Sequence, residues 1–354
     1  MALHGPSEFA RPARPGDLTP YLRKLVRGET LSESESRGAF EEIASGESHD
    51  AEVGALLALL ATRLPTVDEI VGAATVMRAR VERVPCKADP SSIVDTAGTG
   101  GAPKSFNVST AAAIVAAAAG ATVAKHGNRS RTGRGSAEVM ERLGVDINAT
   151  PTVQGRCLDE IGICFCFAIH HHPAAKHVMP VRKALGIPTI FNLLGPLTNP
   201  AGAGRQLMGV YAREFVRPIA ESLVRLGSTR ALVFHSDDGL DEISVGALTH
   251  VAEVRNGEVH DWIVDPAALG LAMADPMSLA PRSLDEAAEM LRSVLVGEDR
   301  GARRSMVLLN AAGALLVADR ISTLQDGLAA AADAIDRDLA HAKLRRLCEL
   351  SQAR

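Results

Sequence analysis

Near Pro90 the spacing of apolar residues changes period, and that change constrains the fold of this chain more than any other feature. Upstream, apolar positions recur at helical intervals, as in Val53, Leu56, Leu57 and Leu60. Ser32-Glu33-Ser34-Glu35 and Thr66-Val67-Asp68-Glu69 each set a hydroxyl three residues before a glutamate, the mark of a helix start in which side chain and backbone cap each other. Thr19-Pro20 reads as a further start, with Thr19 as cap and Pro20 in the first helical position. Residues 83–90 hold Pro85, Cys86 and Pro90 without periodicity and read as a linker.

Downstream, short apolar runs alternate with helical stretches. Strands are predicted at Ile93–Asp95, Ala121–Ala124, Ile163–Ile169, Gln206–Tyr211 and Ala231–His235. Helices are predicted at Ser109–Ala119, Ser136–Leu143, beginning near Pro173, and at Arg217–Leu226. His250–Val264, divided by Asn256-Gly257, reads as a hairpin. The chain then returns to helices, one capped by Ser283 at Glu286 and one along Ala329–Ala340. The fold class expected is α/β: a small all-helical N-terminal domain over residues 17–85, then a larger α/β domain over 86–354 with a mostly parallel central sheet. Residues 1–16, rich in proline for their length, read as a tail.

Length permits two domains: 354 residues give ample material for a buried core. Aromatics are only 3%, so that core must be built from Ala, Val, Leu and Ile, which favours close packing of helices on strands. The net charge of −4 offers no general attraction to nucleic acid or to an anionic membrane. The most apolar stretch, Ala111–Ala124, is mostly alanine, is interrupted by Gly120, and is too short for the roughly 30 Å core of a bilayer. The N-terminus lacks the apolar run of a secretory signal. Five scattered cysteines without a CxxC pair fit reduced thiols in a cytoplasmic protein.

Three clusters carry chemistry. Gly98-Thr99-Gly100-Gly101 stands between a strand and a helix that starts within Asn107–Thr110; glycines let the backbone approach an anion, and a helix N-terminus offers unbonded N–H groups to phosphate. A tight turn would use the same glycines, and the loop matches neither GxxxxGK[ST] nor GxGxxG. Lys125-His126-Gly127-Asn128-Arg129-Ser130 follows an apolar strand and concentrates donors where parallel sheets collect ligands. Asp237-Asp238-Gly239-Leu240-Asp241-Glu242 pairs two carboxylates that suit a hard cation, or form an acidic surface turn. His170-His171-His172 is a poor zinc site, because consecutive side chains do not readily converge on one tetrahedral ion.

Taken in order, these pieces resemble the anthranilate phosphoribosyltransferases, of the nucleoside phosphorylase-like phosphoribosyltransferase fold. The resemblance covers about residues 20 to 350. It is carried by KLVRGE (Lys24 to Glu29), DTAGTGGAPKSFNVST (Asp95 to Thr110), VAKHGNR (Val123 to Arg129), PAAKHVMPVR (Pro173 to Arg182), IFNLLGPLTNP (Ile190 to Pro200) and GLDEIS (Gly239 to Ser244). It implies transfer of a 5-phosphoribosyl group from phosphoribosyl pyrophosphate to the amine of anthranilate, in tryptophan biosynthesis. It further implies that Gly98, Gly101, Asn107, Ser109, Thr110 and Lys125 hold the donor, and that Ser109, Asp241 and Glu242 hold two Mg²⁺ ions. His126, Asn128, His172 and Arg182 would receive anthranilate, with Arg182 facing its carboxylate, and no side chain is assigned as catalytic acid or base. A segment near 180–205 would return to the helical domain, through which two copies would form a homodimer, with no nucleic-acid or membrane partner.

The chain departs from the family pattern in places. Ala102-Pro103 replaces the usual Asp-Gly in a shorter loop, Arg131-Thr-Gly-Arg134 is also short, Glu138 stands for Asp, and Ile169 and His171 stand for Pro and Tyr. These changes bear on the grip on pyrophosphate and on which aromatic acid is accepted. A pyrimidine nucleoside phosphorylase would carry KHSTGG in place of Asp95-Thr96-Ala97 and its glycines. A nucleic-acid-binding relative would have lost the residues matched by Ser109, Asp241 and Glu242.

Overall fold

The structure is a computed structural model that describes residues 14–100 and 105–353, the side chains of 276 and 277 excepted. Most of the expected tail, and Gly101 with Ala102 and Pro103, lie outside the described residues. Four helices come first: α1 (Thr19–Val26), α2 (Glu33–Ser45), α3 (Asp50–Ala61) and α4 (Val67–Ala79). Residues 20–80 contain no strand. Both capping boxes form, with Glu35 N–H donating to Ser32 Oγ at 3.3 Å and Ser32 N–H to Glu35 Oε2 at 2.8 Å, and the Thr66–Glu69 pair alike. Thr19 is the exception. The cap position is Leu18, which has no capping side chain, and Asp17 Oδ1 instead accepts the Thr19 N–H at 3.0 Å.

The central sheet has seven strands in the order β3-β2-β1-β4-β5-β6-β7. β1 (Ile93–Gly98), β2 (Thr122–Gly127), β3 (Ile163–Phe167), β4 (Arg205–Gly209) and β5 (Arg230–Ser236) run parallel. β6 (Thr249–Arg255) and β7 (Glu258–Val264) extend it antiparallel. Their two-residue turn places Asn256 at φ 54° and Gly257 at φ 79°, the left-handed pair that matches strand twist.

The helices of this part are α5 (Val108–Ala118), α6 (Ser136–Arg142), α7 (Pro151–Ile161), α8 (Ala168–His171), α9 (Met179–Leu185), α10 (Ile190–Leu194), α11 (Val216–Arg225), α12 (Leu284–Leu295), α13 (Ala302–Val317), α14 (Leu324–Asp336) and α15 (Leu339–Gln352). Three expectations need correction. The strand expected to reach Ile169 stops at Phe167, because its partner β2 ends at Gly127, the last paired residue, and the chain turns into α8. Pro173 opens a single 3₁₀ turn, and the α-helix follows only at Met179. The run Ala329–Ala340 is two helices, divided where Asp338 adopts φ 58°.

Two apolar cores lie against the sheet. α5, α6, α7 and α12–α15 form one with β1–β3, built largely from alanine, as in Ala111, Ala112, Ala116, Ala311 and Ala312. α9, α10 and α11 share the other with α1–α4 and with Met208, Ala231, Val233, Ala252 and Val254 of the sheet. Arg78 of α4 ties this side together, donating to the carbonyls of Leu197 at 2.6 Å and Leu226 at 2.8 Å. From β1 the chain crosses to β2 on one side, whereas β4 on the other side leads away to β5. The reversal between β1 and β4 opens a crevice at their carboxyl ends, where sheets of this kind bind ligands.

Candidate active site

Both strands at that reversal end in glycine, and Gly98 and Gly209 are paired in register. Asp241 sits over them. A Cβ on Gly209 would overlap the Asp241 carbonyl, and one on Gly98 would lie 2.7 Å from Asp241 Oδ2. Only glycine at both strand ends leaves the notch that seats this aspartate. Thr99 closes the floor, its N–H donating to Gly209 O and its Oγ1 accepting the Tyr211 N–H, both at 3.0 Å. The acidic turn that carries Asp241 and Glu242 leaves β5 through Gly239 at φ 84°. Ser236 Oγ donates to Glu242 O at 2.7 Å, and Ser244 Oγ to Asp238 Oδ2 at 2.5 Å.

β1 leads toward α5, an eleven-residue helix whose cap position is Asn107. Asn107 Nδ2 donates to Arg134 O at 3.1 Å, which ties the helix start to the loop after β2. Ser109 is half-buried in the first turn, and its carbonyl accepts from Thr96 Oγ1 at 3.0 Å. Thr110 Oγ1 and Ser105 Oγ are buried without a hydrogen-bond partner among the described residues. Buried hydroxyls at a helix N-terminus make the cluster a ready anion site. Lys125 of β2 is buried beneath it and donates to Thr96 O. Its counter-charge is Asp95, wholly buried, whose Oδ1 accepts the His126 N–H at 3.0 Å. Burial pushes the Asp95 carboxyl up to about 6, against the lowering pull of Lys125.

Beyond β2, His126 and His172 meet with their Nε2 atoms 3.1 Å apart. The other ring nitrogen of His172 is Nδ1. That atom is buried with no partner among the described residues. Burial, then the neighbouring His171, pushes His172 down to about 4; burial, then His172, lowers His126 well below its ordinary value. Both rings are neutral at pH 7. The other two histidines turn elsewhere: His170 Nε2 reaches Asn148 Oδ1 at 2.9 Å and His171 Nδ1 reaches Glu82 O at 2.7 Å.

Asn128 is exposed at the mouth, and its Oδ1 accepts the N–H of Arg129 at 2.8 Å. Arg182, half-buried, stacks its guanidinium over the Phe191 ring at 5.3 Å and reaches Met179 Sδ at 3.6 Å. It forms no ion pair with a carboxylate of the described residues. Burial, then the like charge of Arg131, lowers its pKa. The structure thus brings Gly98 to Asp241, Ser109 and Lys125 to Thr96, and His126 to His172. Arg182 touches neither histidine ring among these contacts and stands on Phe191 of α10.

Sequence reasoning missed Gly209, Asn199 and Asn310. Asn199 Nδ2 donates to Ala124 O at 2.8 Å and steadies the strand that carries Lys125 and His126. Asn310 is wholly buried in α13 and bonds the backbone of Ile243, next to Glu242. Its signal was present: one amide inside the apolar run VLLNAAGALLV.

Comparison with known proteins agrees with this architecture. Residues 90–341 match the model of the glycosyl transferase family a/b domain, and residues 19–81 that of its helical bundle domain. The anthranilate phosphoribosyltransferase of Rubrobacter xylanophilus is 47% identical, over 95% of this chain and 98% of its own. That of Azorhizobium caulinodans is 46% identical, over 94% and 96%. Among solved structures, anthranilate phosphoribosyltransferase from Thermus thermophilus superposes with a TM-score of 0.88 at 38% identity, covering 94% of this chain and 99% of that one. The Saccharomyces cerevisiae enzyme in complex with PRPP and Mg superposes at 0.85 with 26% identity, covering 94% and 97%. The same yeast enzyme in complex with 4-fluoroanthranilate gives 0.84 at 25% identity and the same coverage. With both of its domains matched and relatives of this identity along nearly its whole length, the chain belongs to the glycosyl transferase family and, within it, to the anthranilate phosphoribosyltransferases.

Proposed function

We propose that this chain transfers the 5-phosphoribosyl group of phosphoribosyl pyrophosphate to the amine of anthranilate, giving N-(5-phosphoribosyl)anthranilate and pyrophosphate. The observation that carries the reading is the seat of Asp241 against Gly98, which sets an acidic turn beside the strand that leads to the helix N-terminus. Carboxylates and an anion cradle at one strand end suit a polyphosphate held together with a cation. Relatives point the same way: the yeast structures hold PRPP with Mg and, separately, 4-fluoroanthranilate.

In this reading the glycine loop from Gly98 to Gly101, Asn107, Ser109, Thr110 and Lys125 hold the donor. Asp241, Glu242 and Ser109 would hold two Mg²⁺ ions. The donor set fits, since all three offer hard oxygen. Mg²⁺ commonly takes one or two carboxylates and completes its shell with phosphate and water. Bound there, it supplies charge neutralisation to the departing pyrophosphate.

Asn128, His126, His172 and Arg182 would receive the aromatic acid. A guanidinium that stacks over Phe191 and forms no ion pair among the described residues suits a planar carboxylate. The amine is neutral at pH 7 and nucleophilic without a base, so positioning supplies much of the rate. As the C1′–O bond breaks, positive charge gathers on the sugar, and two neutral imidazoles add no repulsion.

The same reading groups residues 17–85 with a returning segment near 180–205, and makes the protein a cytoplasmic homodimer. The test is incubation with phosphoribosyl pyrophosphate, Mg²⁺ and a panel of aminobenzoates, following pyrophosphate release and loss of anthranilate fluorescence. Anthranilate should be the preferred acceptor. Activity with another aminobenzoate alone would move the acceptor assignment, and phosphorolysis of a nucleoside instead would overturn the reading.

A further inference from the structure

We propose that Asn310 is a positioning residue for the divalent-cation site: its side-chain amide fixes the backbone of Ile243 and thereby sets the carboxylates of Asp241 and Glu242. The inference rests on the reading of the acidic turn as a cation site. Asn310 lies mid-way along α13, fully buried, between Leu309 and Ala311. Its Oδ1 accepts the Ile243 N–H at 3.0 Å, and its Nδ2 donates to Ile243 O at 2.9 Å and to Met306 O at 2.9 Å. The side chain therefore reads both polar groups of one loop residue, as a neighbouring strand would. Only an amide of this length offers acceptor and donor together; aspartate lacks the donor and leucine lacks both.

The contact is close by construction. Gly313, three residues on and facing the same way, has no Cβ, and one placed there would lie 2.9 Å from Leu207 Cδ1 and 3.0 Å from Ile243 Cδ1. On the other side of the turn, Ser236 Oγ donates to Glu242 O at 2.7 Å, and Thr249 Oγ1 accepts the Ser244 N–H at 3.1 Å. Ser236 Oγ and Thr249 Oγ1 are themselves 2.6 Å apart. Residues 242–244 are thus gripped from β5 and β6 on one side and from α13 on the other, while Asp241 rests in its glycine notch. A turn that served only to connect β5 to β6 would be satisfied by water at the surface. Burying an amide inside an apolar helix to hold it makes sense when the direction of the flanking carboxylates matters.

The test is Mn²⁺ binding to the full-length protein, read by electron paramagnetic resonance with and without phosphoribosyl pyrophosphate, alongside thermal melting. Asn310→Ala should weaken Mn²⁺ binding about tenfold and raise the Mg²⁺ concentration for half-maximal activity by a similar factor. The Michaelis constant for the aromatic acid should stay within twofold. Asn310→Ser, which retains a single hydroxyl, should fall between, and it carries the test if the alanine variant is insoluble. Leu309→Ala on the same helix controls for general softening. Equal loss of Mn²⁺ affinity in Leu309→Ala, or an Asn310 variant that melts earlier with unchanged affinity, would overturn the proposal. Unchanged Mn²⁺ affinity in Asp241→Asn/Glu242→Gln would instead strike the cation reading itself.

Discussion

Arg182 holds its charge half-buried beside Arg131 with an aromatic ring beneath it, an arrangement that asks for an anion. Arg182→Ala should raise the Michaelis constant for anthranilate about 10- to 150-fold, the ~1.5–3 kcal/mol of a charge-assisted pair, and leave that for phosphoribosyl pyrophosphate near its original value. Arg182→Lys should recover part of the loss, since an ammonium keeps the charge without the planar fork. Equal effects on both substrates would remove Arg182 from the acceptor side. The histidine pair gives a pH signature. Because burial holds His172 at about 4, the unfolded chain takes up a proton below about 6.5 that the folded chain refuses until about 4. Its contribution to stability is therefore constant above pH 6.5 and declines as pH falls toward 4, by at most about 1.4 kcal/mol per pH unit. Asp95, raised to about 6, works oppositely, binding its proton earlier in the fold than in the unfolded chain. Comparing melting of His172→Gln with the parent between pH 7.5 and 4.5 separates the two: the variant should lose less stability on acidification, and parallel curves would refute the assignment. At this scale the sequence announced the polar clusters well, because Lys125, His126 and Asp241 stand out after apolar strands. It was silent on Gly209 and obscure on Asn310, whose partners are backbone atoms distant in the chain.

The acidic turn is the element on which the proposed chemistry depends most. Asp241→Asn/Glu242→Gln should lower turnover at least ~100-fold, the scale of removing one strong transition-state stabiliser, with melting little changed. Full activity in that double variant would reduce the turn to surface acid. Gly209→Ala tests its seat. The new methyl would displace the Asp241 backbone, costing about 1–3 kcal/mol as overpacking does, and turnover should fall even at saturating substrate. A normal turnover in a stable Gly209→Ala protein would show that the seat is not needed. Element type was legible along most of the chain, since helical and strand periods differ sharply on either side of Pro90. Element ends were less so. Phe167 ends β3 because β2 has run out of pairing residues, a fact about the neighbour; Asp338 divides α14 from α15 through a left-handed backbone that an alanine-rich run does not disclose.

Over the whole molecule, α1–α4 and one face of β4–β6 share a single core with residues 178–197 between them. Unfolding in urea should accordingly be one cooperative transition, with far-ultraviolet dichroism coincident with the fluorescence of Trp262, which packs against the core on the other face of the sheet. Separate midpoints would show that the helical part melts alone. The layered architecture could be read from the alternation of elements, and the order of the strands could not, because it depends on which way each crossover travels. The glycine notch finally divides the molecule by how easily each half can be rewritten. The seat of Asp241 is made by main chain and by the absence of side chains, so there is almost nothing there for mutation to adjust. Apart from His126 in β2, the proposed acceptor side is made of side chains on the segments 128–134 and 169–182. A lineage or a designer in search of a new aromatic acceptor has room to vary those segments while the donor half stays as it is.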